Sequence, residues 1–224
     1  MQHLTALLQG EGVIHETMEM REAIRDLGIV GWSPTRPTDA IVAAIKRASQ
    51  RIEILEVSLD SLRGRLTRSD WQDIAGRTVN CRILLIDPTH EPEPNFYLAL
   101  QRDVEEGQYW GAILQEVRQF LNSDCPPEWL AEDAQPTIKL THTMPTLSIF
   151  RADDRAWVSV FIHGRPCDST GHLELASNGQ VFRDLVLAHF DALWKDPNFS
   201  VMPPDLTTLA QFMYDDKARP RRRT

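Results

Sequence analysis

"HTMPTLSIFRADDRAWVSVFIHG", residues 142–164, reads as two short strands and the hairpin between them. Thr146 to Phe150 is an apolar-rich run, Ala152-Asp153-Asp154-Arg155 is a turn sequence, and Ala156 to Ile162 is rich in β-branched and aromatic residues. Asp-Asp suits the turn because a short carboxylate can accept a hydrogen bond from its own local backbone. Period-two geometry puts Thr146, Ser148 and Phe150 on one face and Leu147 and Ile149 on the other. On the following strand Trp157, Ser159, Phe161 and His163 alternate with Val158, Val160 and Ile162. Small hydroxyls beside aromatics fit two arrangements. One is a pocket that holds a ligand; the other is a packed hairpin whose hydroxyls are satisfied internally.

Outward from the hairpin, "TIKLTHT" (137–143) predicts one more strand just before it. Far upstream, "RIEILEVSL" (51–59) and "VNCRILLID" (79–87) carry apolar residues on both alternating faces, which predicts strands covered on both sides. Pro88 stops the second. Between them "SDWQ" (69–72) predicts a capping box, Ser69 with Gln72, on a short helix ending near Gly76. A helix is predicted from Thr38, with Asp39 in its first turn, Lys46 and Arg47 in its last, and Ile41, Val42, Ile45 and Ala48 as its buried stripe. The stretch from Pro94 to Asn122 is mostly helical and long enough for a parallel crossover. After a loop at 124–136 and the three strands, residues 179–195 form a last helix with Phe182, Leu185, Val186, His189, Phe190, Leu193 and Trp194 on its stripe.

Residues 3–27 predict two helical pieces interrupted at Gly10 and Gly12. "GWSPTRPT" (31–38) is proline punctuation, with Thr38 expected to cap the helix that follows. The fold class is therefore α/β, a mixed sheet flanked by helices. Its expected parts are an N-terminal helical extension and linker (1–37), one α/β domain (38–196), and a C-terminal extension with a basic tail (197–224).

The chain has 224 residues, 42% hydrophobic and 25% charged, ordinary values for a soluble globular protein. A net charge of −8 argues against a whole-surface nucleic-acid footprint. Only Lys217, Arg219, Arg221, Arg222 and Arg223 in the tail offer a route to phosphates, or a solvated end. No apolar run reaches the roughly 18 residues needed to span a bilayer. "MQHLTALLQG" lacks the basic flank and apolar block of a secretory leader. Cys81, Cys125 and Cys167 are odd in number and widely spaced, which fits a reducing cytoplasm.

The order of elements resembles one half of the phospholipase D superfamily. "AIVAAIKRASQRIEILEVSL" is similar to its opening helix and first strand, and "IAGRTVNCRILLIDP" to its short helix, glycine turn and second strand. "TLSIFRADDRAWVS" is similar to the motif hairpin and "FRDLVLAHFDALW" to the closing helix. The resemblance spans about residues 38–195 and is nearest to divergent bacterial domains found in regulatory proteins. It implies an H-x-K-x4-D motif: a nucleophilic histidine that takes the phosphoryl group, a lysine that stabilises its charge, and a supporting aspartate. It also implies two copies per active site, hence a homodimer.

No H-x-K occurs in this chain. His163 with Arg165 is the nearest imitation, but Thr170 stands where the acid is needed. Aligned on the hairpin turn, Asp153 falls at the motif aspartate, Thr146 at the histidine and Ser148 at the lysine. Neither replacement is a nitrogen nucleophile or a cation. The resemblance then implies a catalytically inactive scaffold, a sensor or interaction domain that binds a small, phosphate-containing ligand or a protein partner through the N-terminal helices. Candidate ligand contacts are Thr146, Ser148 and Asp153, with Ser58 and Asp87 at the carboxyl ends of the two buried strands, and His142 and His163. The rival reading is a phosphodiesterase or nuclease using His142 or His163 from a non-standard position. His163, Cys167 and His172 lack the paired spacing of a zinc site, so no metal and no cofactor is expected. Glu56 and Arg82, each inside a buried strand, fit two arrangements, a buried ion pair at the cleft floor or positions near the sheet edges.

Overall fold

The computed structural model describes Met20 and residues 22–87, 115–130, 137–143, 145–161 and 170–202. Its strands are β1 (Ile29–Ser33), β2 (Arg51–Glu56), β3 (Asn80–Ile86), β4 (Ile138–Thr141), β5 (Leu147–Ala152), β6 (Arg155–Val160), β7 (His172–Ala176) and β8 (Ser200–Val201). They form a single eight-stranded sheet in the order β1-β7-β6-β5-β2-β3-β4-β8. The β2–β3 and β3–β4 pairs are parallel; every other pair is antiparallel. Helices cover both faces, so the molecule is α/β with an open mixed sheet.

The apolar strands sit in the middle, as a sheet covered on two sides requires. Five consecutive residues of β2, Ile52 to Glu56, are buried. One face carries Ile52, Ile54, Ile83, Leu85, Phe150 and Trp157 against α1 (Thr38–Arg47) and α2 (Arg68–Ala75). Ile41 and Ile45 of α1 have no solvent access, which stabilises the fold by about 1.5–3 kcal/mol each. Trp71 of α2 stands edge-on to Phe120 and Trp129, at centroid distances of 5.6 and 5.9 Å. The other face carries Leu55, Leu84, Ile149 and Val158 under a C-terminal helix. That helix is π-helical over Phe182–Ala188 and continues as α3 (His189–Lys195). Phe182, Val186, Phe190 and Trp194 recur every fourth residue on its buried side. Leu185 and His189, expected on the same stripe, are only half-buried, because the wider π turn makes a four-residue step hold one face.

Several local expectations are corrected. The capping box of α2 is Thr67 with Asp70, two residues before the predicted pair. The Asp70 carboxylate accepts from the Thr67 N–H at 2.8 Å, and a carboxylate is the stronger acceptor of the two overlapping boxes. Thr38 does not cap α1; Pro37 holds the cap position with no side-chain hydrogen bond. β1, β7 and β8 are three strands the periodicity did not predict, and part of the expected punctuation at 31–38 is strand. The two edge strands, β1 and β8, come from either side of residues 38–196. Gly28, at φ +80, and Gly179 pack back to back: a Cβ on Gly28 would lie 2.5 Å from the Gly179 Cα. Most of the expected N-terminal helices, the first part of the long helix and the basic tail lie outside the described residues.

Asp153 turns the hairpin in the left-handed region, at φ 52. Its carboxylate does not serve the local turn as expected. Oδ1 accepts the N–H groups of Gln50 and Arg51, each at 2.8 Å, and Oδ2 accepts the Ser49 N–H at 2.9 Å and the Ser49 hydroxyl at 3.3 Å. The hairpin thereby satisfies the backbone where α1 turns into β2. Burial pushes the Asp153 carboxyl up, but these donors outweigh it and hold the pKa below the ordinary 3.8. A depressed folded pKa gives stability that is present above pH 3.8 and lost as pH falls through the folded value. Asp153→Asn, which keeps the left-handed preference, should cost about 1–2 kcal/mol at pH 7. Urea midpoints measured from pH 6 down to pH 2 should fall less steeply for Asp153→Asn than for the wild type; parallel profiles would refute the assignment.

Candidate functional site

β2, β3 and β4 end together, the parallel part of the sheet, and two polar groups gather there. The first is built on Glu56, the last residue of β2. Its side chain points to the same face as Ile52 and Ile54, under the segment that leads into α1. Oε2 accepts the Ser148 hydroxyl at 2.8 Å and Nη2 of Arg36 at 2.7 Å, and Oε1 accepts the Val57 N–H at 3.0 Å. The two charged side chains are 6% (Arg36) and 5% (Glu56) exposed, so this ion pair is desolvated and its Coulomb attraction is little screened. The Arg36 guanidinium also lies 5.2 Å from the Phe150 ring centroid, in cation–π contact.

The second group joins strands β3 and β4. Asp87 follows β3, and its N–H donates to the Thr141 carbonyl at 2.8 Å. Its Oδ2 lies 3.2 Å from Nε2 of His142, the residue after β4. Asp87 is 6% exposed and the His142 side chain 25%. Beside them the Thr141 and Thr143 hydroxyls are 3.1 Å apart. Chemically this is a partly exposed imidazole in contact with a buried carboxylate, the pairing that general acid–base chemistry uses.

The structure therefore brings Asp87 to His142, and Ser148 to Glu56. Thr146 is exposed ahead of β5, and its carbonyl accepts the Phe161 N–H at 3.1 Å. Ser58 is half-buried two residues beyond β2. Because β5 runs antiparallel to β2, Ser148 lies near the Glu56 end and Asp153 beside Arg51, at opposite ends of the strand pair. His163 and Cys167 lie outside the described residues. Ser159, cross-strand from Ser148, is 2% exposed; its hydroxyl meets that of Thr170 at 2.5 Å and donates to the Gly171 carbonyl at 3.0 Å.

Glu56 and Arg82 do not pair with each other: Glu56 pairs with Arg36 and Arg82 with Glu53. Parallel register sets Arg82 beside Glu53, three residues before Glu56 and on the opposite face. Glu53 has no solvent access, and its carboxylate is held by Arg82 on one side and by Arg151 at 2.8 Å on the other. Arg82 continues to Asp191 of α3 at 2.8 Å and lies over the Phe190 and Trp194 rings. Arg36 stands between Pro34 and Pro37, in a stretch that reads as punctuation. Its signal was present nonetheless: two acids within the buried run "RIEILE" each need a cation from elsewhere.

Among the described residues no cluster of three or more His, Cys, Asp or Glu could hold a metal ion, and no helix is long and apolar enough to cross a membrane. Cys81 and Cys125 are buried free thiols. Burial pushes the Cys125 thiol up to about 12, far from nucleophilic thiolate.

No family model matches the chain, and no curated protein matches it. Among solved structures it is similar to TrmBL2, an archaeal chromatin protein that binds DNA, at TM-score 0.44 and 12% identity over 87% of this chain. It is similar at the same TM-score, 0.44, to phosphatidylserine synthase from Haemophilus influenzae Rd KW20, with 10% identity over 89% of this chain. The chain spans 64% of the first protein and 48% of the second. Likeness at this level assigns neither a family nor an activity.

Proposed function

We propose that this chain is a phospholipase D-like scaffold that has given up phosphoryl transfer and works as a regulatory interaction domain. One observation carries the reading. The strand position where the resemblance puts a phosphate-stabilising lysine holds Ser148, and its hydroxyl is committed to Glu56. Phosphoryl transfer needs positive charge aimed at the reacting oxygens. Here a carboxylate lies within hydrogen-bond distance of that position, and the guanidinium beside it is engaged by the same carboxylate. At the nucleophile position stands Thr146, which has no neighbouring base among the hydrogen bonds described.

The same chemistry argues against a phosphate ligand at the hairpin and favours a protein partner on the surface. Calorimetric titration with inorganic phosphate tests this. The expected result is no saturable heat from wild type or Ser148→Ala; saturable binding that weakens on Ser148→Ala would refute it.

The Asp87–His142 contact at 3.2 Å favours a second reading, a hydrolase using His142 away from the motif position. That reading predicts a phosphodiesterase activity abolished by His142→Ala and reduced by Asp87→Asn.

A further inference from the structure

The N-terminal margin of the sheet presents large apolar side chains that are exposed among the described residues. Residues 22–26 form a helical segment whose described side chains are all exposed. Met20, Ile24 and Leu27, spaced four and three residues apart, are 65%, 42% and 39% exposed on one stripe. The chain then enters β1, the outermost strand, where Val30 is 49% and Trp32 66% exposed. β1 pairs only with β7, so its other edge meets no strand among the described residues. An exposed apolar stripe beside an exposed sheet edge with an exposed tryptophan is a template for association.

We infer that this margin is a two-fold interface between two copies of this chain, with Trp32 as its anchor. The occupant follows from self-complementarity, the property an isologous contact requires. Two β1 strands paired antiparallel about Gly31 place Val30 opposite the partner's Trp32 and Trp32 opposite the partner's Val30. That is a β-branched–aromatic cross-strand pair on each side of the axis. The helical segment is self-complementary in charge as well. In an antiparallel pair centred between Ala23 and Ile24, Glu22 meets the partner's Arg25, and Met20 meets the partner's Leu27.

The bulge between Ile29 and Gly31 limits regular pairing to a few residues, so side chains rather than backbone supply the contact. The margin is held firmly for the purpose: Val181 donates its N–H to the Leu27 carbonyl at 3.2 Å and Ala176 donates to Gly28 at 2.8 Å. Trp32 packs its indole on Gly171, where a Cβ would lie 2.7 Å from Nε1. This inference stands apart from the loss of chemistry and survives if the chain proves to be an enzyme.

Sedimentation equilibrium of the full chain across the micromolar range tests it. Wild type should be a dimer, and Trp32→Glu should raise the dissociation constant at least about tenfold, as loss of a buried aromatic anchor does. Circular dichroism and the melting temperature establish that the variant is folded. Glu22→Arg, on a wholly exposed turn, should weaken the dimer, and adding Arg25→Glu should restore it; this pair decides the matter if Trp32→Glu does not fold. A monomer at every concentration would overturn the interface, as would a dimer indifferent to both Trp32→Glu and Glu22→Arg. A full chain that stays monomeric while a chain lacking residues 1–19 dimerises would overturn it too, by making that segment the occupant.

Discussion

Glu53→Ala should lower the melting temperature by roughly 10 °C. Glu53 has no solvent access, and it is the one carboxylate between Arg82 and Arg151 on that face of the sheet. Removing it leaves Arg82 with Asp191 as its acid partner and Arg151 with the Asp153 carbonyl, two guanidinium groups 15% and 11% exposed among Phe182, Phe190 and Trp194. Breaking a buried ion pair from one side typically costs about 3–5 kcal/mol, and a chain of this size loses about 2–4 °C per kcal/mol. The physics also sets the rescue. Replacing all three charges with apolar residues of similar volume, Glu53→Leu with Arg82→Met and Arg151→Met, should recover most of the loss, because the desolvation cost leaves with the charges. Thermal unfolding followed by circular dichroism checks both. A triple variant less stable than Glu53→Ala would show that the charges contribute net stability beyond the cost of stranding them.

Arg36→Ala should be the next most damaging change, at about 3 kcal/mol. It leaves the Glu56 carboxylate, 5% exposed, with only the Ser148 hydroxyl and the Val57 N–H, and removes the cation stacked on Phe150. Because Arg36 lies one residue before the cap of α1, the entry to that helix loosens at the same time. Glu56→Gln in the Arg36→Ala background should return about half of the stability, since a neutral amide needs no cation. Equal destabilisation of the single and double variants, measured by urea unfolding, would mean that Arg36 acts by packing rather than by charge.

The central strands were legible because burial on both faces writes itself into the sequence as unbroken apolar runs. "RIEILE" and "NCRILLI" needed no partner to be recognised. The strands that went unread lack that signature. β1 contains Gly31 and exposes Val30 and Trp32, β8 is two residues long, and five residues of "HLELA" alternate too briefly to separate strand from helix. Charge pairing was legible only as a need. Two acids in a buried strand demanded cations, but register, which pairs Glu53 with Arg82, and the return of residues 34–37 over the sheet, which brings Arg36 to Glu56, are properties of the folded chain. Asp153 makes the same point: its acceptors reach backbone more than a hundred residues away, and only the turn itself was local. At the candidate site, Asp87 and His142 were each singled out for their position; their contact depended on the parallel β3–β4 pairing.

The central claim of the proposal is that Thr146 and Ser148, where the resemblance puts a histidine and a lysine, carry out no phosphoryl transfer. The most direct measurement is hydrolysis of a generic phosphodiester by the purified full chain, with Ser148→Ala and Thr146→Ala run beside it. The account predicts no turnover above the uncatalysed rate in any of the three. Turnover by the wild type that is lost in Ser148→Ala or Thr146→Ala would contradict it.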